Sequence, residues 1–348
     1  MLKKVVFITE YLNPPYDEGI KKTAYNLWLE LGKKYELLTI CRHGFKKENL
    51  HIVNTNALYF SAEVKSLIKN FKPDALVYLP FQSSTFASYL RLKVLATFAK
   101  KARPVFIALQ PKPLKKWQQG FVKFIKPKMA LTPSPMLKQF WDTIEVPNKI
   151  IPLLTDLTIF KPISDTTTKE KLRKKYSLPV EATIISHMGH LNEGRNLQTL
   201  IPLQQAGFQV VILGSSSTPT DAVGTKSIKN TLLASGIIIV DRFIKHIEEI
   251  YQLSDIYIFP VVKKNSSIGM PLSILEARAC GIPVITTNYG SIQTYMEDDF
   301  GGIKYSEPNE FLRSVTEIST KPTQTFIKTK VSELNNSFYD TLYTQIDE

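Results

Sequence analysis

The stretch Asp255–Gly290, DIYIFPVVKKNSSIGMPLSILEARACGIPVITTNYG, reads as strand, loop, helix, tight turn and strand. Met270-Pro271 opens the helix, because proline's fixed φ suits a first turn, where its missing N–H is not needed. Gly281 closes the helix, Pro283 prevents its continuation and Val284 begins the next strand. The run holds a single acid after the loop, Glu276, flanked by apolar residues and lying just before Cys280-Gly281. A carboxylate in such surroundings needs a partner.

The same alternation extends through both halves of the chain. VVFIT (Val5–Thr9) is a buried-strand pattern, followed by IKKTAYNLWLELGKKY, where Ala24, Leu27 and Leu31 share a helical face and Gly32 is the expected cap. ALVYLP and VFIALQP are further short strands, separated by a helix from about Ser84 to Lys101. Ile150–Ile163 has no clean period and carries two prolines, as a linker would. The rhythm then restarts with the basic helix KEKLRKKYSLP, the strand TIISHMG, the helix RNLQTLIPLQQAG and the strands FQVVILG, IIIV, DIYIFP and PVITT. Alternation of this kind predicts an α/β fold of two doubly wound, Rossmann-like domains, each a parallel sheet covered on both faces, with ligands at the carboxyl ends of the strands in a cleft between them. The expected domains are 1–152 and 166–322, joined by a linker at 153–165, with a terminal helix in 323–348 returning to the first domain.

A chain of 348 residues with 43% hydrophobic and 22% charged residues is long enough for two cores and is globular in composition. No window approaches the apolar length of a transmembrane helix. MLKKVVFITEYLNPP moves straight into a strand without the apolar core of a secretion signal, and Cys41 and Cys280 make no disulfide framework. The expectation is therefore a cytoplasmic protein.

Lysine and arginine number 44 against 31 acids, and the excess is uneven. No acid occurs between Asp74 and Asp142, whereas Arg91–Lys128 holds Arg91, Lys93, Lys100, Lys101, Arg103, Lys112, Lys115, Lys116, Lys123, Lys126 and Lys128. A strongly positive surface is expected there. Within it, KPLKKWQQGFVKFIKPK (Lys112–Lys128) places Leu114, Trp117, Phe121 and Phe124 on one helical face among lysines. Such a segment can lie in an anionic membrane interface, or it can be an ordinary domain helix with its stripe in the core. No nucleic-acid recognition module accompanies it.

Neither half carries Gly-x-Gly-x-x-Gly after its first strand, which disfavours a nicotinamide or flavin enzyme. GHLNEGRN (Gly189–Asn196) is a near miss to a phosphate-binding P-loop: Arg195-Asn196 stands where Lys and Ser or Thr are needed, and asparagine is a poor magnesium ligand. The loop follows a strand and precedes a helix-forming run. Arg195 is therefore expected near a helix N-terminus, where positive charge and amides suit a diphosphate.

Together these motifs resemble the retaining glycosyltransferases of GT-B fold, the group often called glycosyltransferase family four. The loop and helix of Asp255–Gly290 are similar to the family's donor-binding signature, and MGHLNEGRNLQTL to the strand-end loop whose Arg and Lys grip the donor diphosphate. IIPLLTDLTIFKP looks like the interdomain linker, DRFIKHIEEIYQLSDIYIFP like the segment beside the nucleotide base, and PPYDEGIKKTAYNLWLEL like the acceptor-domain loop. The resemblance is strongest from Ile150 to about Tyr305 and weak between Val53 and Phe140.

The resemblance implies transfer of a glycosyl group from a nucleotide sugar, UDP- or GDP-linked, to a glycan or lipid-linked acceptor with retention, without metal or further cofactor. It implies that Glu276 bonds the ribose hydroxyls, which suits a carboxylate accepting two hydrogen bonds. Arg195 matches the diphosphate lysine and His190 falls where the family has arginine. Gly189, Gly269, Met270, Pro271 and Leu272 match the loops around phosphate and sugar, Phe243 the base segment, and Glu18 and Gly19 the acceptor-side loop. A catalytic residue is not named by it. Departures from the family pattern are Ile268, where a first Glu contacts the donor sugar; His190, neutral where an arginine is charged; and Leu153-Leu154 in the linker. These departures keep open a degenerate GT-B module that binds a nucleotide or partner without transferring sugar. A P-loop-like nucleotidase is the weaker alternative.

Overall fold

A computed structural model of the chain describes residues 2–16, 18–163, 165–215, 222–242, 244–264, 266–298, 302–320 and 329–348. The chain forms two compact units, one comprising Met1–Leu154 with Ile268–Met270 and Leu334–Glu348, the other Thr155–Ser267 with Pro271–Glu333.

The first unit is built on seven strands, β1 (Lys4–Ile8), β2 (Glu36–Cys41), β3 (Leu50–Ile52), β4 (Ala75–Tyr78), β5 (Arg103–Ile107), β6 (Met129–Thr132) and β7 (Asn148–Ile150). All pair in parallel, in the order β3-β2-β1-β4-β5-β6-β7. The second unit has six, β8 (Ile184–His190), β9 (Gln209–Ser215), β10 (Ile238–Val240), β11 (Ile256–Phe259), β12 (Val284–Thr286) and β13 (Ile303–Tyr305). These are also parallel, in the order β10-β9-β8-β11-β12-β13. Both are doubly wound Rossmann-like sheets. The strands read as continuous apolar runs because helices cover both faces; Val5–Ile8 and Ile256–Phe259 are buried at every position.

The helix Gly19–Lys34 buries Ile20, Thr23, Ala24, Leu27 and Leu31 as its period requires. Gly32 does not cap it. The helix runs on to Lys34, and Tyr35 ends it with its N–H on the Leu31 carbonyl, because the chain needs no left-handed residue to enter β2. In the core of this unit Phe106 packs beside Trp141, whose indole N–H donates to the Tyr89 hydroxyl at 2.8 Å. The end of the last helix joins this unit through Asp347, which accepts from Lys34 at 2.8 Å and Tyr35 at 3.2 Å, and through Glu348 with Arg103 at 2.9 Å.

The basic stretch departs from its sequence reading in two ways. Only Lys116–Val122 is helical, so Leu114 and Phe124 fall outside the helix; Leu114 packs on the core while Trp117, Phe121 and Phe124 stand 61, 46 and 83% exposed. The prolines at 111, 113 and 127 bound the segment in which a helix can form. Arg91 is not a surface charge either. Its guanidinium is buried against Glu10 at 2.9 Å, and Glu10 also accepts from the Tyr78 hydroxyl at 2.8 Å and the Phe81 N–H at 2.7 Å. A carboxylate held by three donors thus fixes the loops leaving β1 and β4.

Removing one partner of a buried pair strands the other charge. Glu10→Ala is expected to destabilise the first unit by about 3–5 kcal/mol, and Glu10→Leu with Arg91→Met by much less. All three tryptophans, Trp28, Trp117 and Trp141, lie in this unit. Their fluorescence in urea reports its unfolding separately; equal losses in the two variants would show that the pair itself, not the stranded arginine, carries the stability.

Candidate functional site

In the second unit the strand order reverses between β8 and β11: the chain leaves β8 towards β9 and β10 on one side and returns to β11 and β12 on the other. A crevice opens outside the carboxyl ends of the strands at such a reversal, which makes the end of β8 the natural ligand position. Gly189 and His190 end this strand, paired with Gly214 and Ser215 of β9.

The loop beyond β8 folds as a 3-10 turn, Glu193–Arg195, then a second one, Leu197–Leu200, and only then the short helix Ile201–Gln205. The helix start expected at Arg195 is therefore not there. Asn196 adopts a left-handed conformation (φ 56°) that separates the two turns, and Pro202 has no N–H to donate back to Gln198. The Asn196 side chain donates to the Pro260 carbonyl at 3.1 Å, tying the turn to the end of β11. Arg195 is presented by this braced turn rather than by a helix terminus.

Arg195 is buried, and its guanidinium lies directly over Gly189. A Cβ on Gly189 would sit 3.3 Å from Arg195 Cζ and 3.1 Å from His187 Nε2, so glycine is what allows both groups to come this close. His187 is fully buried between Tyr257 and Phe259, with ring centroids 6.2 and 6.1 Å away. Its Nδ1 is 2.9 Å from the Ile258 carbonyl, an acceptor only, so Nδ1 carries the hydrogen. Burial pushes its pKa down to about 3 against the opposing effect of the Ile258 bond, and the Arg195 charge lowers it further. The imidazole is neutral.

The helix expected after Met270-Pro271 runs Leu272–Ala279 with Pro271 as N-cap; Gly281 follows at φ 77° and β12 begins at Val284, as the sequence pattern required. Leu272 is buried on it. Glu276 is only 2% exposed, and the hydroxyl of Tyr251, from the helix Glu248–Leu253, donates to its Oε2 at 2.7 Å. Burial and the Glu276 charge hold the Tyr251 phenol well above its usual range, so it stays a donor. Burial raises the Tyr257 phenol as well, and its hydroxyl feels both Arg195, which lowers its pKa, and Glu276, which raises it. His187, Arg195, Tyr257, Glu276 and Tyr251 thus form one polar seam inside the second unit.

Ile268–Met270 groups with the first unit. Gly269 donates its N–H to the Leu109 carbonyl at 2.9 Å, and a Cβ on it would meet Ser134 Cα at 2.8 Å. Met270 is buried. In the same unit Glu18 is the N-cap of Gly19–Lys34, and Ile268 lies over Gly19, its Cδ1 3.0 Å from where a Cβ would stand. Phe243 lies outside the described residues. Among the described residues no group of three or more His, Cys, Asp or Glu could hold a metal ion.

Sequence reasoning missed His187 and Tyr251. A histidine inside the apolar strand IISHMG was a signal in principle. Tyr251 carried none, since it sits among Ile250 and Leu253 on what reads as a core face.

The model of the family described as glycosyl transferases group 1 matches residues 187–321. A D-inositol 3-phosphate glycosyltransferase of Xylanimonas cellulosilytica is 29% identical over 167 residues, 44% of this chain and 38% of the relative. One from Corynebacterium jeikeium is 30% identical over 172 residues, 44% and 39% respectively. The aligned part therefore spans well under half the length of these curated relatives. Among solved structures, a glycosyltransferase of Rickettsia africae superimposes with a TM-score of 0.77 at 17% identity, covering 99% of this chain and 98% of that one. Anabaena HepE in complex with UDP and glucose gives 0.74 at 13%, covering 98% and 100%. The fold is GT-B.

Tyr251→Phe should leave the Glu276 carboxylate buried without this donor and destabilise the second unit by about 1–3 kcal/mol. Calorimetric melting checks it; an unmoved transition would mean that the hydroxyl adds nothing to the seam.

Proposed function

We propose that this chain, whose residues 187–321 carry a glycosyl transferases group 1 domain on a GT-B fold, transfers a sugar from a nucleotide-sugar donor to an acceptor with retention. The observation that carries the reading is that the family match spans the part of the second unit in which Arg195, at the strand reversal, and the buried Glu276 share one polar seam. Arg195 would neutralise the leaving diphosphate, a preorganised charge in a water-poor site. Glu276, oriented by Tyr251, would receive the ribose hydroxyls, with Gly189, His190, Pro271 and Leu272 around the phosphates and sugar. On this reading Gly269 and Met270 belong with Pro271 and Leu272 to the donor loop, and Glu18 and Gly19 to the acceptor-side loop. The reaction would use no metal or further cofactor. UDP is the first donor to test, because HepE, of like fold, was solved with UDP and UDP-glucose. GDP is the second.

A panel of UDP-, GDP- and ADP-sugars should raise the melting temperature with one base preferred, since a ligand that binds only the folded state stabilises it. Glu276→Ala should abolish the shift; an undiminished shift would remove Glu276 from the site. Product analysis with the preferred donor then separates transfer from binding alone, and a chain that binds donor but neither transfers nor hydrolyses it is the degenerate module.

For the acceptor, the exposed aromatics favour a lipid-linked one reached from the cytoplasmic membrane face. Trp117, Phe121 and Phe124 stand out of the first unit among Lys115, Lys116 and Lys123. Rings of this kind insert at the headgroup level while lysines meet anionic lipid. Among the described residues no helix is long and apolar enough to cross a membrane. Co-sedimentation with vesicles containing phosphatidylglycerol should be salt-sensitive and weakened several-fold by Trp117→Ala with Phe124→Ala. Absence of binding at low salt would refute the membrane reading and leave the donor reading intact.

A further inference from the structure

His187 is fully buried, its Nδ1–H is committed to the Ile258 carbonyl, and Nε2 has no hydrogen-bond partner among the described residues. An acceptor left so in a protein interior is destabilising. Stacking between Tyr257 and Phe259 does not require a nitrogen at that position, since a phenyl ring would pack there without the penalty. What Nε2 does face is the space over Gly189 that the Arg195 guanidinium also borders, 3.1 Å from one and 3.3 Å from the other by the position of a Gly189 Cβ.

A guanidinium carries five N–H donors in a fixed fork, and a bound diphosphate oxygen pair takes two of them in the bidentate arrangement. In a buried site the remaining donors need acceptors inside the protein, and the direction of the fork is set by where those acceptors are. An anionic acceptor would compete with the diphosphate for the cation. A neutral imidazole does not, and its orientation is fixed from behind by a strand carbonyl and two aromatic rings.

We propose that His187 is a positioning residue for Arg195: its Nε2 lone pair receives a guanidinium N–H across Gly189 when a diphosphate is bound and aims the rest of the fork at the phosphates. The inference rests on the nucleotide-sugar reading of the site. It also gives Gly189 a function: any side chain there would wedge between the two groups.

Asparagine and glutamine separate the two ring nitrogens. His187→Asn keeps an N–H near the Ile258 carbonyl and loses the acceptor at Nε2, whereas His187→Gln can place an amide oxygen near the Nε2 position. Titration calorimetry of the whole chain with UDP and uridine, and in parallel GDP and guanosine, is the test. His187→Asn should weaken the diphosphate about tenfold or more and the nucleoside less than twofold; His187→Gln should restore most of the difference. In an Arg195→Ala background His187→Asn should have no further effect. Equal weakening of diphosphate and nucleoside would make His187 a core residue only, and unchanged diphosphate affinity in His187→Asn or His187→Phe would overturn the proposal while leaving the donor site standing. A parent protein that binds no diphosphate at all would overturn both. Should the variants fail to fold, long-range proton–nitrogen spectra of the parent give the answer directly: Nε2 should be unprotonated and its resonance should move on adding UDP or GDP. A protonated Nε2, or one unmoved by a diphosphate that binds, would refute the assignment.

Discussion

Everything in the second unit hangs on the pairing of β8 between β9 and β11. Seven consecutive residues of β8 are in register with β9, from Ile184 on Gln209 to His190 on Ser215, while Ile185 and Ser186 alone pair with β11. The strand therefore outruns its pairing on one side. Its last residues, His187 to His190, reach the carboxyl end where the winding direction reverses, and a side chain there meets either another strand's end or a ligand. Gly189, with no side chain, leaves that space to Arg195 from the loop beyond and to His187 from two residues before. The register thus decides which groups can converge.

Polar residues in that seam are held by elements far apart in the chain. Arg195 is fixed by a turn whose Asn196 reaches the end of β11, and Glu276 by a tyrosine on a different helix. Each arrangement replaces water around a charge with an oriented dipole, and none relies on a helix terminus. Arginine presented from a doubly kinked 3-10 segment has less freedom than one at a frayed first turn, because Asn196 bonds the backbone on one side and Leu197 and Leu200 are buried on the other. Fixed polarity of this kind is what a site needs to act on a developing charge without reorganising.

The alternation of strands and helices was legible in the sequence because parallel strands buried on both faces read as short unbroken apolar runs, and the strand-helix-turn-strand unit ending in Gly281 was legible because a positive φ and a following proline leave few other folds. The limits were equally physical. Gly32 looked like a cap, yet a glycine is tolerated within a helix whose face is already buried by Leu27 and Leu31. The helical spacing of RNLQTLI predicts a helix from Arg195, and spacing cannot register that Asn196 turns left-handed. Sequence places Arg91 among surface lysines because its partner, Glu10, is 81 positions away. Composition and periodicity describe neighbours in sequence, whereas Glu10–Arg91 and Tyr251–Glu276 are long-range pairings that only the sheet topology creates.

Ile268 remains the residue that most distinguishes this chain from the pattern it resembles. Its Cδ1 lies over Gly19, at the first turn of a helix whose N-cap, Glu18, makes no side-chain cap bond. A branched apolar side chain in that position makes dispersion contacts only and accepts no hydrogen bond. Any hydroxyl recognised there must be read by backbone groups or by side chains from elsewhere. A carboxylate at the same place could accept two hydroxyl hydrogen bonds and would favour the positive end of the Gly19–Lys34 helix. Exchanging it for isoleucine removes both effects and leaves the seam from His187 to Glu276, on the proposed reading the nucleotide half of the site, unaltered. The polar pairings from His187 to Glu276 lie within the second unit and do not depend on the residue at position 268, which groups with the first.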